Sequence, residues 1–374
     1  MFTYLCTSKL FKMKIVYIKP NNLSFVRGDE EILLHHFSVM PVLLNQSKGN
    51  LIYSLNMLRM CFKLLANGIG GRAVFVCWFA DYHSALMVFF AKLTGTKSII
   101  FIGGQEAICY WELGKGVYRN KIRALFVKYS LRNATRIIAN HKSLIYHENS
   151  YYNAENPHID GVAHYVNGFK ADVDIVYNGI DSNKFVRNNA ITKQDNLILT
   201  VGTMSHLGDF QNKGFDLFIQ VAARNPKLEF VLIGLKPSFL DWVEDTYKVS
   251  TIRNLKIIPS YCPHDVLNEN YNKAKVFVQA SITEGMPNTL SEAMLLGCIP
   301  VGSNINGIPD AIGDTGIVVM HRSVEEIEKA IERALKMDTS NAARQRVIEL
   351  FSFEKREKQL VDIFKEITNL KLRK

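Results

Sequence analysis

No two of the six cysteines (positions 6, 61, 77, 109, 262 and 298) form a CxxC pair, and they are scattered along the chain. Neither a disulfide framework nor a zinc site has that pattern, so the sequence points to a reducing compartment. Long apolar runs are also missing. The most apolar stretch, Ala73–Leu93, is interrupted by Asp81, Tyr82 and His83. It therefore reads as strand, loop and helix, not as a membrane span. The N-terminus shows no clean apolar run of signal-peptide length and no small-residue cleavage site. Residues 1–12 read as an appended or disordered leader before a first strand. Zinc-finger spacing, a recognition-helix pattern and RNA-binding aromatics are lacking, which argues against nucleic acid. No short-period repeat or low-complexity tract appears.

What is present suits a folded α/β protein. The 374 residues exceed one core and fit two domains of ordinary size, with 48% hydrophobic and 21% charged residues. The net charge of +10 is lopsided: residues 1–175 hold 20 Lys+Arg against 11 Asp+Glu, whereas the rest is nearly balanced. One half therefore faces something anionic. Short apolar runs alternate with helix-length amphipathic segments, which predicts parallel sheets with crossover helices. The first half offers strands at Lys14–Ile18, Val39–Leu43, Val74–Cys77, Ser98–Ile102 and Arg136–Ala139. The second offers Leu197–Val201, Glu229–Ile233, Leu255–Ile258, Val276–Gln279, Ile299–Gly302 and Ile317–Val319. The boundary falls at Val176–Asp181, a strand end followed by a turn. Two such sheets leave a cleft between their carboxyl edges, where open α/β sheets bind ligands.

The segment Thr283-Glu284-Gly285-Met286-Pro287-Asn288-Thr289-Leu290-Ser291-Glu292 follows a strand and opens a helix near Pro287. Such a helix start presents free N–H groups and partial positive charge to a diphosphate. Glu284 can reach a sugar hydroxyl, and Glu292 can grip a ribose diol; alternatively, both simply favour the helix N-terminus. Gly202 and Thr203 end another strand ahead of Lys213-Gly214. Glycine there admits a phosphate and Lys213 neutralises it, while Gly234 leaves room for a flat base. Asn306-Gly307-Ile308-Pro309-Asp310 adds another glycine turn before a short helix. Singly, each glycine could only make a tight turn; four such turns at successive strand ends mark one cleft edge.

Together these blocks (VYNGID, VGT…KG, FVLIG, EGMPNTLSEAMLLGCIPV and NGIPDAIGDTGIVV) resemble the donor domain of the retaining glycosyltransferases of family four. The terminal FSFEKREKQL resembles that family's last helix. The resemblance implies a GT-B fold with an acceptor domain at 13–177, a donor domain at 178–352 and a helix from 353 crossing back to the first. It implies that Glu292 holds the ribose, Glu284 contacts the donor sugar and Lys213 binds the diphosphate. Backbone donors around Asn288, Thr289 and Leu290 would assist. Where the family usually has arginine, this chain has Thr203, so leaving-group stabilisation falls on Lys213 and the helix N-terminus.

In the first half, Gly103-Gly104-Gln105-Glu106 stands where many relatives carry a histidine. Glu106 is either an acceptor-orienting base or a surface carboxylate. Asp81 and His83 lie on the expected acceptor side, where Trp78 or Tyr82 could stack on a sugar or pack in the core. Gly28 and Asp29 fall to the first βα loop. No cofactor is implied beyond the nucleotide-sugar substrate, and no metal; Asp172-Val173-Asp174 spells DxD but abuts the linker. Lys115, Arg119, Lys121, Arg123, Lys128, Arg132 and Arg136, with no acid among them, suggest a basic face for an anionic membrane carrying a lipid-linked acceptor. The expectation is a cytoplasmic, peripherally attached enzyme of polysaccharide synthesis, using a glycan or lipid-linked acceptor. The alternatives are an epimerase of the same fold and a weak donor-binding subunit.

Overall fold

The computed structural model describes residues 14–46, 49–71, 73–259 and 262–369. The leader expected at 1–12 lies outside them. In chain order the first half runs β1 (Lys14–Lys19), α1 (Ser24–His36), β2 (Ser38–Leu43), α2 (Asn50–Gly68), β3 (Ala73–Trp78) and α3 (Tyr82–Thr94). It continues through β4 (Lys97–Ile102), α4 (Lys121–Asn133) and β5 (Arg136–Ala139). A small hairpin of β6 (His147–Asn149) and β7 (His158–Asp160), then α5 (Val162–Tyr165) and β8 (Asp172–Ile175), complete it. The strands form one parallel sheet in the order β2-β1-β3-β4-β5-β8. Its central strands are buried on both faces, which is why they read as continuous apolar runs.

The second half repeats the scheme. It contains β9 (Gln194–Val201), α6 (Leu207–Asn212), α7 (Phe215–Arg224), β10 (Glu229–Leu235), α8 (Leu240–Tyr247), β11 (Leu255–Pro259) and α9 (His264–Lys273). After these come β12 (Ala274–Gln279), α10 (Asn288–Leu295), β13 (Ile299–Ser303), α11 (Ile308–Ile312), β14 (Ile317–Val319), α12 (Val324–Leu335) and α13 (Ser340–Leu350). This sheet, also parallel, is ordered β11-β10-β9-β12-β13-β14. Strand order reverses between β9 and β12, so the loops after these two strands diverge and leave a crevice. All but β6 and β7 had a sequence-predicted counterpart: β8 is the strand read as ending at the Val176–Asp181 boundary, and the others agree within three residues at either end.

The last helix, α14 (Phe353–Asn369), returns to the first domain. Leu360, Val361, Phe364 and Ile367 join β1, β3 and α1 in one core cluster. Arg356 anchors it, donating Nε and Nη2 to the two oxygens of buried Asp29 at 2.6 and 2.7 Å. The same guanidinium donates to the carbonyls of Val176 and Tyr177 in the linker. Asp29 also accepts from Trp78 Nε1 at 3.0 Å. These positions correct one expectation and decide another. Gly28 and Asp29 lie within α1, not in a loop, and Trp78 is a core residue stacked on Phe101.

Candidate functional site

The carboxyl edges of the two sheets face a cleft of about 500 Å³. From the second domain, Gly202, Thr203, Lys213, Glu284, Gly285 and the segment Met286–Thr289 line it. From the first come Gly103, Gln105, Lys115 and Asn140. A smaller recess of about 160 Å³ adjoins it between Phe79, Gly104 and Glu284.

Helix α10 starts at Asn288 with Pro287 as its N-cap, one residue later than proline at the first helical position would place it. Pro287 offers no side-chain cap, so the helix's leading amides have no intrahelical partner and open on the cleft. The neighbouring side chains are held off that end. Asn288 Oδ1 accepts from Asn178 at 3.0 Å, and Thr289 Oγ1 donates to Gln279 at 3.0 Å. Asn288 and Thr289 line the cleft, and Leu290, the next residue, is fully buried.

Lys213 reaches the same space and forms an ion pair with Glu284. The Glu284 carboxylate also accepts from Ser281 Oγ at 3.0 Å, and its backbone N–H donates to Asn306 at 3.0 Å. The loop after β12 therefore fixes both charges. Gly202 makes room for the lysine stem, because a Cβ there would lie 3.3 Å from Lys213 Cγ. Gly234 does not leave space for a base as expected. At φ +110° its missing Cβ would sit 1.6 Å from the Gly202 carbonyl oxygen, so it serves the close approach of β10 to the end of β9. Thr203 is exposed on the cleft wall.

Glu292 occupies a side recess with Phe25, Gly179 and Asn288, and accepts from Tyr271 Oη at 3.0 Å. Phe25 and Asn288 line both this recess and the main cleft. Burial pushes the Glu292 carboxyl up to about 7, with the Tyr271 hydrogen bond opposing. The unfolded chain titrates it near 4.5, so between these values the folded state holds the extra proton. The stability contributed by this site is complete below about 4.5 and is lost as pH rises through about 7. The Glu292→Gln variant should flatten the fall in thermal midpoint over that window; an unchanged slope would refute the assignment.

The acceptor-side residues divide. Gly103, Gly104 and Gln105 line the cleft or its recess. Glu106 does not. It is buried, its carboxylate accepting from Ala80 N at 3.2 Å and Gly104 N at 3.1 Å. Burial raises its pKa, with the amide donors opposing. It braces the glycine turn through the Gly104 amide. Asp81 is likewise structural: it caps α3 through a capping box with Ser84 and binds Arg123 at 2.6 Å. His83 is buried, its Nε2 hydrogen-bonded to the Trp78 carbonyl, and burial lowers its pKa.

Sequence reasoning did not assign Phe79, Lys115 or Asp209 to the site. Phe79 takes φ +66°, a left-handed conformation uncommon for a bulky residue, and its ring wall is why Gly103 lacks a Cβ. Lys115 crosses the cleft to Asp209, with Nζ to Oδ1 2.5 Å. Burial would raise the Asp209 pKa, but Lys115 and the Ser205 and His206 amides hold it below the ordinary value. The run of cations at 115–136 had drawn attention to Lys115 for another reason. That run is not one free basic face. Arg123 pairs with Asp81, Arg119 lies over Trp111, and Arg132 donates to the Asn167 carbonyl. Arg136 starts β5, as its strand reading has it, and pairs with Asp174 and Glu366. Asp172 and Asp174 accordingly sit in the edge strand β8, and no group of three or more metal-binding side chains occurs among the described residues.

Residues 181–349 match the family described as glycosyl transferases group 1. The phosphatidylinositol N-acetylglucosaminyltransferase GPI3 subunit of Saccharomyces cerevisiae is 24% identical over 138 residues, which span 36% of this chain and 30% of that protein. The chain thus aligns with under a third of that relative's length. Sucrose-phosphate synthase from Thermosynechococcus elongatus superposes with a TM-score of 0.71 at 14% identity, covering 96% of this chain and 100% of that one. HepE from Anabaena, in complex with UDP and glucose, gives 0.66 at 11% identity, covering 95% and 100%. The second domain of this chain carries the match to glycosyl transferases group 1, and the whole has the GT-B fold.

Proposed function

We propose that this chain transfers a sugar from a nucleoside diphosphate sugar to a glycan or lipid-linked acceptor with retention of anomeric configuration, in the synthesis of a cell-surface polysaccharide. One observation carries the reading. The uncapped start of α10 and the Lys213 ammonium open together on the interdomain cleft, and both complement a diphosphate. In this reading the diphosphate lies across the amides of Asn288, Thr289 and Leu290, and Lys213 exchanges its Glu284 partner for phosphate oxygens. Glu284 then contacts the donor sugar, and Glu292 takes the ribose in its side recess. The bond between the anomeric carbon and the diphosphate oxygen breaks. The acceptor hydroxyl oxygen bonds to that carbon on the same face, its proton passing to the departing phosphate. Gly103, Gly104 and Gln105 form the acceptor wall, and Phe79 closes it.

Charge on the leaving diphosphate is met by the helix terminus and Lys213, so turnover should persist in excess chelator. The phosphatidylinositol in the yeast relative's name supports a lipid-linked acceptor here. A thermal-shift screen against uridine, guanosine and adenosine diphosphate sugars tests the reading. One base class at 100 times its dissociation constant should stabilise the fold by roughly 2.7 kcal/mol. With that donor, free nucleoside diphosphate should appear only when acceptor is present, and NMR of the product should show the donor's anomeric configuration. Silence across all three bases would end the proposal, as would nucleotide release indifferent to acceptor.

A further inference from the structure

Helices α2, α3 and α4 pack side by side on one face of the first sheet, over a core that includes Met60, Leu64, Met87 and Val127. The opposite face is closed by α1 and α14. The outer side of the α2–α4 layer is unlike an ordinary solvated helix surface. Only Met60, Leu64 and Gly68 of α2 are buried, yet its outward positions include Leu51 at 74% exposure, Leu58 at 56% and Phe62 at 66%. The layer continues through Leu93 on α3 and Leu125 on α4, exposed by 62% and 68%. Between α3 and α4, Leu86, Phe89, Phe126 and Tyr129 line an open apolar groove of about 350 Å³. In the second domain, by contrast, exposed large apolar residues such as Leu207, Trp242 and Ile348 stand far apart in sequence. A contiguous patch of this kind marks an interaction surface.

Its charge selects the partner. The three helices hold no Asp or Glu at all, while Arg59, Lys63, Lys92, Lys121 and Arg132 are exposed on them. An apolar face rimmed by cations of one sign matches an anionic bilayer, which supplies hydrocarbon and negative headgroups together. A second copy of the chain matches poorly, because a two-fold contact through this face would oppose cation to cation. We infer that the α2–α3–α4 face docks this chain on an anionic lipid surface, with the outward side chains of α2 entering the headgroup–acyl boundary. The basic 115–136 segment contributes only Lys121 and Arg132 to this rim; α2 supplies the apolar contact. Since α3 begins directly after β3, the bilayer would lie beside the Gly103–Gln105 wall of the cleft. The inference stands apart from the transfer reaction and needs no donor.

The test is co-sedimentation of the full chain with phosphatidylcholine vesicles, with and without phosphatidylglycerol. Wild type should pellet with the anionic vesicles. The triple variant Leu51→Ser/Leu58→Ser/Phe62→Ser should lose at least ~10-fold in partitioning, given the apolar area withdrawn. Arg59→Glu/Lys63→Glu should lose a comparable factor. These positions are exposed, so both variants should keep the wild-type thermal midpoint and donor-induced thermal shift. The inference fails if wild type ignores anionic vesicles or if the triple variant binds them as wild type does. It also fails if light scattering shows a lipid-free dimer that the triple variant splits, since a second copy would then own the face.

Discussion

Replacing Lys213 with alanine is expected to lower turnover by about 10²–10³-fold, the scale seen when one preorganised charge contact to a developing anion is removed. Two features of the site make the loss large. Thr203 brings no charge to the end of β9, and the other ammonium lining the cleft, Lys115, is already paired with Asp209. Glu284 is also held in place by Ser281 and by its own amide on Asn306, and it stays when Lys213 leaves. Its carboxylate would then face the incoming diphosphate without a counter-charge. Donor affinity should therefore fall along with turnover. Steady-state kinetics with the donor found by thermal shift would decide, and turnover within about threefold of wild type would remove Lys213 from the mechanism.

The second large effect concerns stability. Arg356→Ala is expected to cost about 3–5 kcal/mol, because it strands a buried carboxylate. Asp29 would keep only its bond from Trp78, and the carbonyls of Val176 and Tyr177 would lose their shared donor. The apparent thermal midpoint should drop on the order of 10 °C, using the usual conversion for domains of this size. Adding Asp29→Asn should restore part of the loss by removing the unpaired charge. A single variant melting like wild type would show that the buried pair contributes little.

Much of the fold could be read from the chain because buried parallel strands are unbroken apolar runs and their ends carry glycines. The start of α10 was legible for the same reason: proline after a strand and loop has few places to sit. What escaped was contact between distant segments. Glu106 follows two glycines and looks like part of an exposed turn, yet the amides that bury it belong to Ala80 and Gly104. Asp81 and His83 interrupt an apolar stretch and so suggested a binding loop, whereas a capping box and a backbone carbonyl account for them. Lys115 and Asp209 are 94 residues apart, and no local pattern announces that pairing. The count of cations between 115 and 136 was correct, but charge along a sequence does not reveal which groups are already neutralised. The outward apolar side of α2 was missed because apolar residues at helical spacing are ordinarily assigned to a core.

The position of α14 bears on how the molecule is made. The first domain's hydrophobic interior is finished by Leu360 and Phe364, and its buried aspartate waits for an arginine 327 residues further along. During synthesis every element of the second domain has emerged before that closing piece exists. The half made first should therefore be completed last, and a nascent chain arrested before Phe353 should show a protease-resistant second domain beside a cleavable first one.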